Sequence, residues 1–123
     1  MTEMYKFYNP NPQKKLTGDC VIRAISTALN QQWERTYIDL CIEGYINCDL
    51  PNSNNVWASY LQHKGFKQYV MPYICTMEQF AAEYPQGTYI VATGSHVACI
   101  KDGRLIDNWD SSDETVTYFF TKE

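Results

Sequence analysis

The sequence predicts an α+β fold, with N-terminal helices packed on a C-terminal antiparallel β-sheet. Apolar residues recur at helical spacing through the first two thirds of the chain, and after Pro85 and Gly87 the pattern changes to short β-rich runs separated by turn residues. The 123 residues, 45% apolar and 15% aromatic, suit one globular domain spanning 1–123, and no composition break marks a linker.

Each element follows from local chemistry. The segment from Tyr5 to Lys15 contains Asn9-Pro10-Asn11-Pro12, whose prolines exclude helix, and it reads as an ordered loop. Thr17-Gly18-Asp19 supplies turn and cap chemistry ahead of Val21, Ile22, Ile25, Ala28 and Leu29, so the first helix is expected from Asp19 to Asn30. A second helical pattern runs through Trp33, Tyr37, Ile38, Leu40, Cys41 and Ile42 and is expected to stop at Gly44. Asn47 to Asn55 reads as a turn-rich loop, after which Val56, Tyr60 and Leu61 begin a third helix closed by Gly65. Thr76 and Gln79 have the spacing of a capping box for a fourth, ended by Pro85 and Gly87. Strands are expected at Thr88 to Thr93, Val97 to Lys101, Arg104 to Asp107 and Thr115 to Thr121.

Charge and cysteine content narrow the function. A net charge of −4 with only ten Lys and Arg argues against a nucleic-acid partner, because phosphate binding needs clustered cations. No apolar run reaches the length of a membrane span, and Met1 to Pro12 lacks the pattern of a secretory signal, which together imply a cytoplasmic protein. Cys20, Cys41, Cys48, Cys75 and Cys99 are odd in number, which excludes a fully paired disulfide framework. In a reducing compartment each is core filler, metal ligand or nucleophile.

Cys20 falls in the first turn of the first helix, where unpaired backbone N–H groups and the helix dipole favour an anion and lower a thiol pKa. The same position also suits a small buried hydrophobe. Asp19 opposes a neighbouring thiolate, and Arg23, four residues on, can pair with it across one turn. Of the two histidines, His63 lies at a polar helix end that reads as solvated, whereas His96 opens the apolar strand Val97-Ala98-Cys99-Ile100. If Asp102-Gly103 is a two-residue turn, Lys101 faces Arg104, Ala98 faces Asp107 and His96 faces Trp109. His96 and Asp107 are then diagonal neighbours, close enough for a carboxylate to accept from the imidazole, with Asn108 pointing the other way and Trp109 beside the ring. A slip of one residue would exchange Asp107 and Asn108.

A thiolate, a histidine that moves a proton and an acid that orients it are the elements of acyl transfer. The Cys20 backbone N–H is one oxyanion donor, and the loop amides of Asn9, Asn11 and Gln13 are candidates for the second, Asn11 and Gln13 being nearer in sequence. Cys41, on a helical stripe, and Cys99, on the hairpin face opposite His96, read as core, while Cys48 and Cys75 are unassigned. Cys41, Cys48, His63 and Cys75 lack the short knuckle spacing of a structural zinc site, and no metal or cofactor is expected.

At these residues the chain resembles a small papain-like cysteine peptidase. Gly18-Asp19-Cys20 opens an apolar helix, Gly94-Ser95-His96-Val97-Ala98 starts a strand, and Asp107-Asn108-Trp109 echoes the carboxamide-x-Trp pattern of papain relatives, in the papain-like order Cys, His, Asp. The likeness extends to short, mostly uncharacterised papain-fold proteins of bacteria and their phages and covers nearly the whole chain. It implies a papain-like fold and a triad of Cys20, His96 and Asp107, with Asp19, Asn108 and Trp109 supporting. Papain relatives carry Gln six residues before the nucleophile, where this chain has Lys14, so the second oxyanion donor stays open. The activity implied is hydrolysis of a peptide, isopeptide or related amide bond of a peptide or protein substrate. The alternative is a catalytically silent papain-fold module that binds a phage or host protein through exposed Tyr residues.

Overall fold

The computed structural model describes residues 4–122, so the first residues of the Met1 to Pro12 segment lie outside the described part. The helices are α1 (Cys20–Leu29), α2 (Trp33–Ile46), α3 (Asn54–His63) and α4 (Met77–Glu83); the strands are β1 (Tyr5–Phe7), β2 (Lys67–Val70), β3 (Thr88–Ala92), β4 (Val97–Lys101), β5 (Arg104–Asp107) and β6 (Tyr118–Thr121). The strands form one six-stranded sheet in the order β1-β5-β4-β3-β6-β2. The fold is therefore α+β, as the change of periodicity predicts.

Alternation along the central strands separates two cores. Ile90, Ala92 and Val97 pack with Ile25 of α1, Leu40 of α2 and Trp57 of α3, while Val91, Ala98, Ile100 and Leu105 pack with Phe80 and Met77 of α4. Helices α1–α3 thus cover one face of the sheet and α4 the other. Asp102 and Gly103 both take positive φ, 49° and 76°, the geometry of a type I′ turn, and Lys101 pairs with Arg104 as the two-residue turn requires. The α4 capping box forms, with Thr76 accepting from the Gln79 N–H and Gln79 from the Thr76 N–H.

Four features differ from expectation. The sheet is mixed, because β1 pairs in parallel with β5; its three residues, read from the sequence as part of a loop, are too few to show a period. β2 forms against β6 at the sheet edge, where its largely exposed side chains carry no apolar alternation. The last strand begins at Tyr118 instead of Thr115, because Val116 and Thr117 donate to the Cys75 and Ala92 carbonyls as the chain crosses over α4. Helix α2 runs through Gly44 to Ile46.

Gly44 marks a close approach of backbone to helix. A Cβ there would stand 2.9 Å from the Asp49 carbonyl oxygen and 3.1 Å from the Pro51 nitrogen. Gly44→Ala must displace the 49–51 turn and is expected to lose about 1–3 kcal/mol in a denaturant melt. Gly94→Ala, with nothing within 4 Å of the added carbon, is the control and should change stability by less than about 0.5 kcal/mol.

Candidate active site

The loop before α1 is ordered by its own amides. Asn9 Oδ1 accepts from the Asn11 N–H at 3.1 Å and Asn11 Oδ1 from the Gln13 N–H at 2.9 Å, two successive Asx turns that suit the intervening prolines. Lys14 closes the loop through Nζ, 2.8 Å from the Asn9 carbonyl. The chain then enters α1 through Asp19, at the cap position but with no side-chain bond to the helix N–H groups.

The Asp19 carboxylate is instead engaged sideways. It pairs with the Arg23 guanidinium and accepts from Trp33 Nε1 at 2.9 Å and Asn11 Nδ2 at 3.3 Å. Two consequences follow. Its charge is matched by a buried cation, which removes most of its opposition to a thiolate beside it, and the first turn of α1 keeps its own N–H groups for an anion. Cys20, half-buried, is the first residue of that turn.

His96 is held from both sides. Its backbone N–H donates to Thr93 Oγ1 at 3.0 Å and its carbonyl accepts from the Thr93 N–H at 2.8 Å, a tight turn joining β3 to β4. Its Nε2 lies 2.7 Å from Asp107 Oδ2, and the Trp109 ring centroid is 4.7 Å from that of the imidazole. With Nε2 on the carboxylate, Nδ1 is the nitrogen left for the Cys20 thiol, which lies near enough to raise the pKa of the ring.

Asp107 is fixed with equal care. Oδ1 accepts from Arg23 Nε at 3.2 Å and from the Asn108 N–H at 2.7 Å, while the Asp107 carbonyl accepts from the Tyr8 N–H at 2.8 Å and Tyr5 Oη at 3.2 Å. Strand β1 therefore pins the backbone of the residue that orients the histidine.

The electrostatics favour a charge-separated pair. Burial pushes the Cys20 thiol up, but hydrogen bonds from His96 and the Val97 backbone, with the charges of His96 and Arg23, outweigh it and hold the thiol below its ordinary value. Burial pushes His96 down, while hydrogen bonding and charge from Asp107 and Cys20 raise it to about 9. Between those two limits the arrangement is thiolate and imidazolium.

The remaining sequence candidates are distributed as follows. Asn108 is half-buried with Oδ1 unpartnered among the described residues, and Asn11 has one amide proton beyond its bond to Asp19. Gln13 is exposed and lines a groove of about 470 Å³ with Trp33 and Tyr37. A second groove, of about 290 Å³, is walled by Val21, Ile22, Leu40 and Cys41. Neither has Cys20 or His96 in its wall; both share Gly18 and Asp19, the two residues before Cys20.

Cys99 is fully buried, and burial raises its thiol to about 12. Cys41 is half-buried at the groove edge, not in the core as its stripe suggested, because α2 turns it away from the buried arc of Thr36, Leu40 and Gly44. Cys75 is buried and Cys48 exposed. His63 is 70% exposed at the end of α3, 3.2 Å from Glu43. Among the described residues no group of three or more His, Cys, Asp or Glu could hold a metal ion, and no helix is long and apolar enough to cross a membrane.

The residue that sequence reasoning missed is Arg23 in its second role. Its spacing from Asp19 is legible, but its bond to Asp107 joins positions 84 apart and has no local signal. Comparison of the chain with family models, with curated proteins and with solved structures finds no match.

Proposed function

We propose that the protein is a thiol hydrolase of papain-like design, cleaving a peptide, isopeptide or related amide bond. The observation that carries this reading is the His96 imidazole, held by Asp107 at 2.7 Å on one side and close enough to Cys20 on the other for each to shift the pKa of its neighbour. A helix that presents the cysteine and a hairpin that presents the histidine and carboxylate are the papain-like division of labour.

The steps follow from the groups. The Cys20 thiolate attacks the carbonyl carbon, and the resulting oxyanion is met by the Cys20 backbone N–H and a loop amide, Gln13 or Asn11. His96 gives its proton to the leaving nitrogen, the C–N bond breaks, and an acyl-thioester remains. Neutral His96 then takes a proton from water as it attacks the thioester; the C–S bond breaks, releasing the acid and restoring the thiolate-imidazolium pair. Asp107 holds the ring throughout.

Iodoacetamide labelling followed by mass spectrometry of each cysteine tests the nucleophile. At pH 6, where an ordinary thiol is on the order of 1% or less thiolate, Cys20 is expected to react first, with Cys75 and Cys99 silent because burial raises both thiols. Equal rates at all five cysteines would overturn the assignment. Turnover of a fluorogenic peptide-amide library tests the reaction. Release should be lost in Cys20→Ser, and it should fall as pH rises through about 9, because deprotonated His96 has no proton for the leaving amine. Preferential labelling without turnover of any library member would favour the binding module.

A further inference from the structure

The two grooves beside α1 are contiguous. The first, of about 290 Å³, has Val21, Leu40, Cys41 and Pro51 in its wall and is apolar; the second, of about 470 Å³, has Gln13, Lys15 and Trp33. Gly18, Asp19, Ile22 and Tyr37 belong to both, so the two make one trough. Trp33 is fixed in the wall by its Nε1 bond to Asp19 at 2.9 Å, and its ring lies 5.3 Å from that of Tyr37.

The trough lies across the end of α1 from the thiol. At about 100° per residue, Ile22 projects roughly 200° round the helix from Cys20, which is why neither groove has Cys20 in its wall. Gly18 stands between the two sides; it is exposed, and a Cβ added there would meet nothing within 4 Å, so the space over the helix end is open. A helix with its side chains is about 10–12 Å across and an extended chain advances about 3.3–3.6 Å per residue. About three or four residues therefore carry an extended chain from Cys20 over Gly18 into the trough.

Lys15 and Asp19 are the charged side chains of the trough, and Asp19 already has its counter-charge in Arg23. Among the described residues no ion pair engages Lys15. One cation is too little for a nucleic-acid backbone or an anionic lipid surface. The exposed amides of Gln13 and Asn52, one in each groove, offer the donors and acceptors that a peptide backbone needs. We propose that the trough binds the substrate away from the scissile bond, as an extended polypeptide that seats an apolar side chain of Leu or Ile size in the α1–α2 groove, about three or four residues from the cleaved bond, and turns an Asp or Glu towards Lys15. This rests on the reading of Cys20 as the nucleophile and names what that nucleophile is offered. A seat of about 290 Å³ is at the small end of ligand pockets, which suits one side chain better than a cofactor.

Pools of blocked octapeptides, each position fixed in turn as Leu, Ala, Glu or Lys and the others mixed, test the proposal in two arms. In the first, wild-type protein cleaves the pools and mass spectrometry locates the cleaved bonds. Leu about three or four residues from the bond should be favoured at least tenfold over Ala, the discrimination that an apolar pocket gives. Cys41→Arg should exchange that preference for Glu, and Asn52→Arg, at an exposed place on the same wall, should shift it in the same direction and serves if Cys41→Arg does not fold. Lys15→Glu should turn a preference for Glu at a second position into one for Lys, by about threefold, as befits an exposed pair. In the second arm the fluorescein-labelled pools bind to Cys20→Ser, read by anisotropy, and the same preferences should appear without cleavage. Cleavage with no preference at those positions, or a Leu preference that survives both arginine variants, overturns the trough as the selecting site, and failure of the Lys15→Glu exchange overturns the acidic contact. Leu-selective binding to Cys20→Ser with no pool cleaved by the wild type keeps the trough and overturns the hydrolase. Binding of decanoate without selective binding of any peptide would assign the groove to a small apolar ligand and overturn the proposal; neither cleavage nor selective binding overturns both.

Discussion

Arg23→Met is expected to lose about 3–5 kcal/mol of folding stability, the range for removing one partner of a buried ion pair, and to lower the melting temperature by on the order of 10 °C or more. The Arg23 side chain is 6% exposed and bridges two carboxylates, Asp19 and Asp107, that are 4% and 3% exposed. Without it Asp19 is left buried with no counter-charge and Asp107 with His96 alone, and Cys20 loses one of the charges that lower its thiol pKa. Two measurements therefore move together. The denaturant midpoint falls, and the pH at which Cys20 alkylation sets in shifts upward. Arg23→Lys keeps the charge but not the fork that reaches both acids, so it should fall between wild type and Arg23→Met. A variant that melts with the wild type would refute the bridging role, and a lower melting point with an unmoved alkylation profile would confine Arg23 to stability.

His96→Ala is expected to cut peptide-amide turnover by about 10²–10⁴, the usual contribution of a positioned acid-base group, while the fold persists. The same change should slow Cys20 alkylation at pH 6 at least tenfold. The thiolate there owes its low-pH existence to a hydrogen bond and a positive charge from His96; alone in a half-buried site it reverts to a thiol. The greater intrinsic nucleophilicity of a higher-pKa thiolate offsets part of the loss, which is why the rate falls less than the thiolate population. Near pH 10 the two proteins should converge, since the thiol of the variant is then ionised. A rate at pH 6 equal to that of the wild type would remove the basis for the pair. Asp107→Asn preserves the shape but not the charge, so His96 should become easier to deprotonate and turnover should fall off below pH 9.

Much of this site is legible in the chain because its parts are local. The α1 boundary follows from Thr17-Gly18-Asp19 and the apolar spacing after it, and the helix begins at Cys20 as that pattern requires. The hairpin register follows from Asp102-Gly103, whose positive φ angles are those a two-residue turn demands, and the register carries His96 to Asp107 by counting alone. Trp109 falls beside the imidazole by the same count. What local reasoning misreads is equally physical. Gly44 has the sequence signature of a helix end, yet it serves a turn five residues on that must press against the helix. Cys41 lies on an apolar stripe that belongs to both the inner and the outer face of α2, so periodicity does not tell which way it points.

The sequence by itself determined the α+β class, the start of the helix that opens at Cys20, the hairpin and the pairing of histidine with carboxylate, because each depends on spacing within one element or across one turn. Only the tertiary structure decided that Asp19 neglects its cap position for Arg23, that Arg23 joins the loop carboxylate to Asp107, and that β1 runs parallel to β5 and fastens the Asp107 backbone. The last two of these are contacts between positions 84 to 102 residues apart. Burial selects such partners, because an ionised group taken out of water must meet its counter-charge wherever the fold places one.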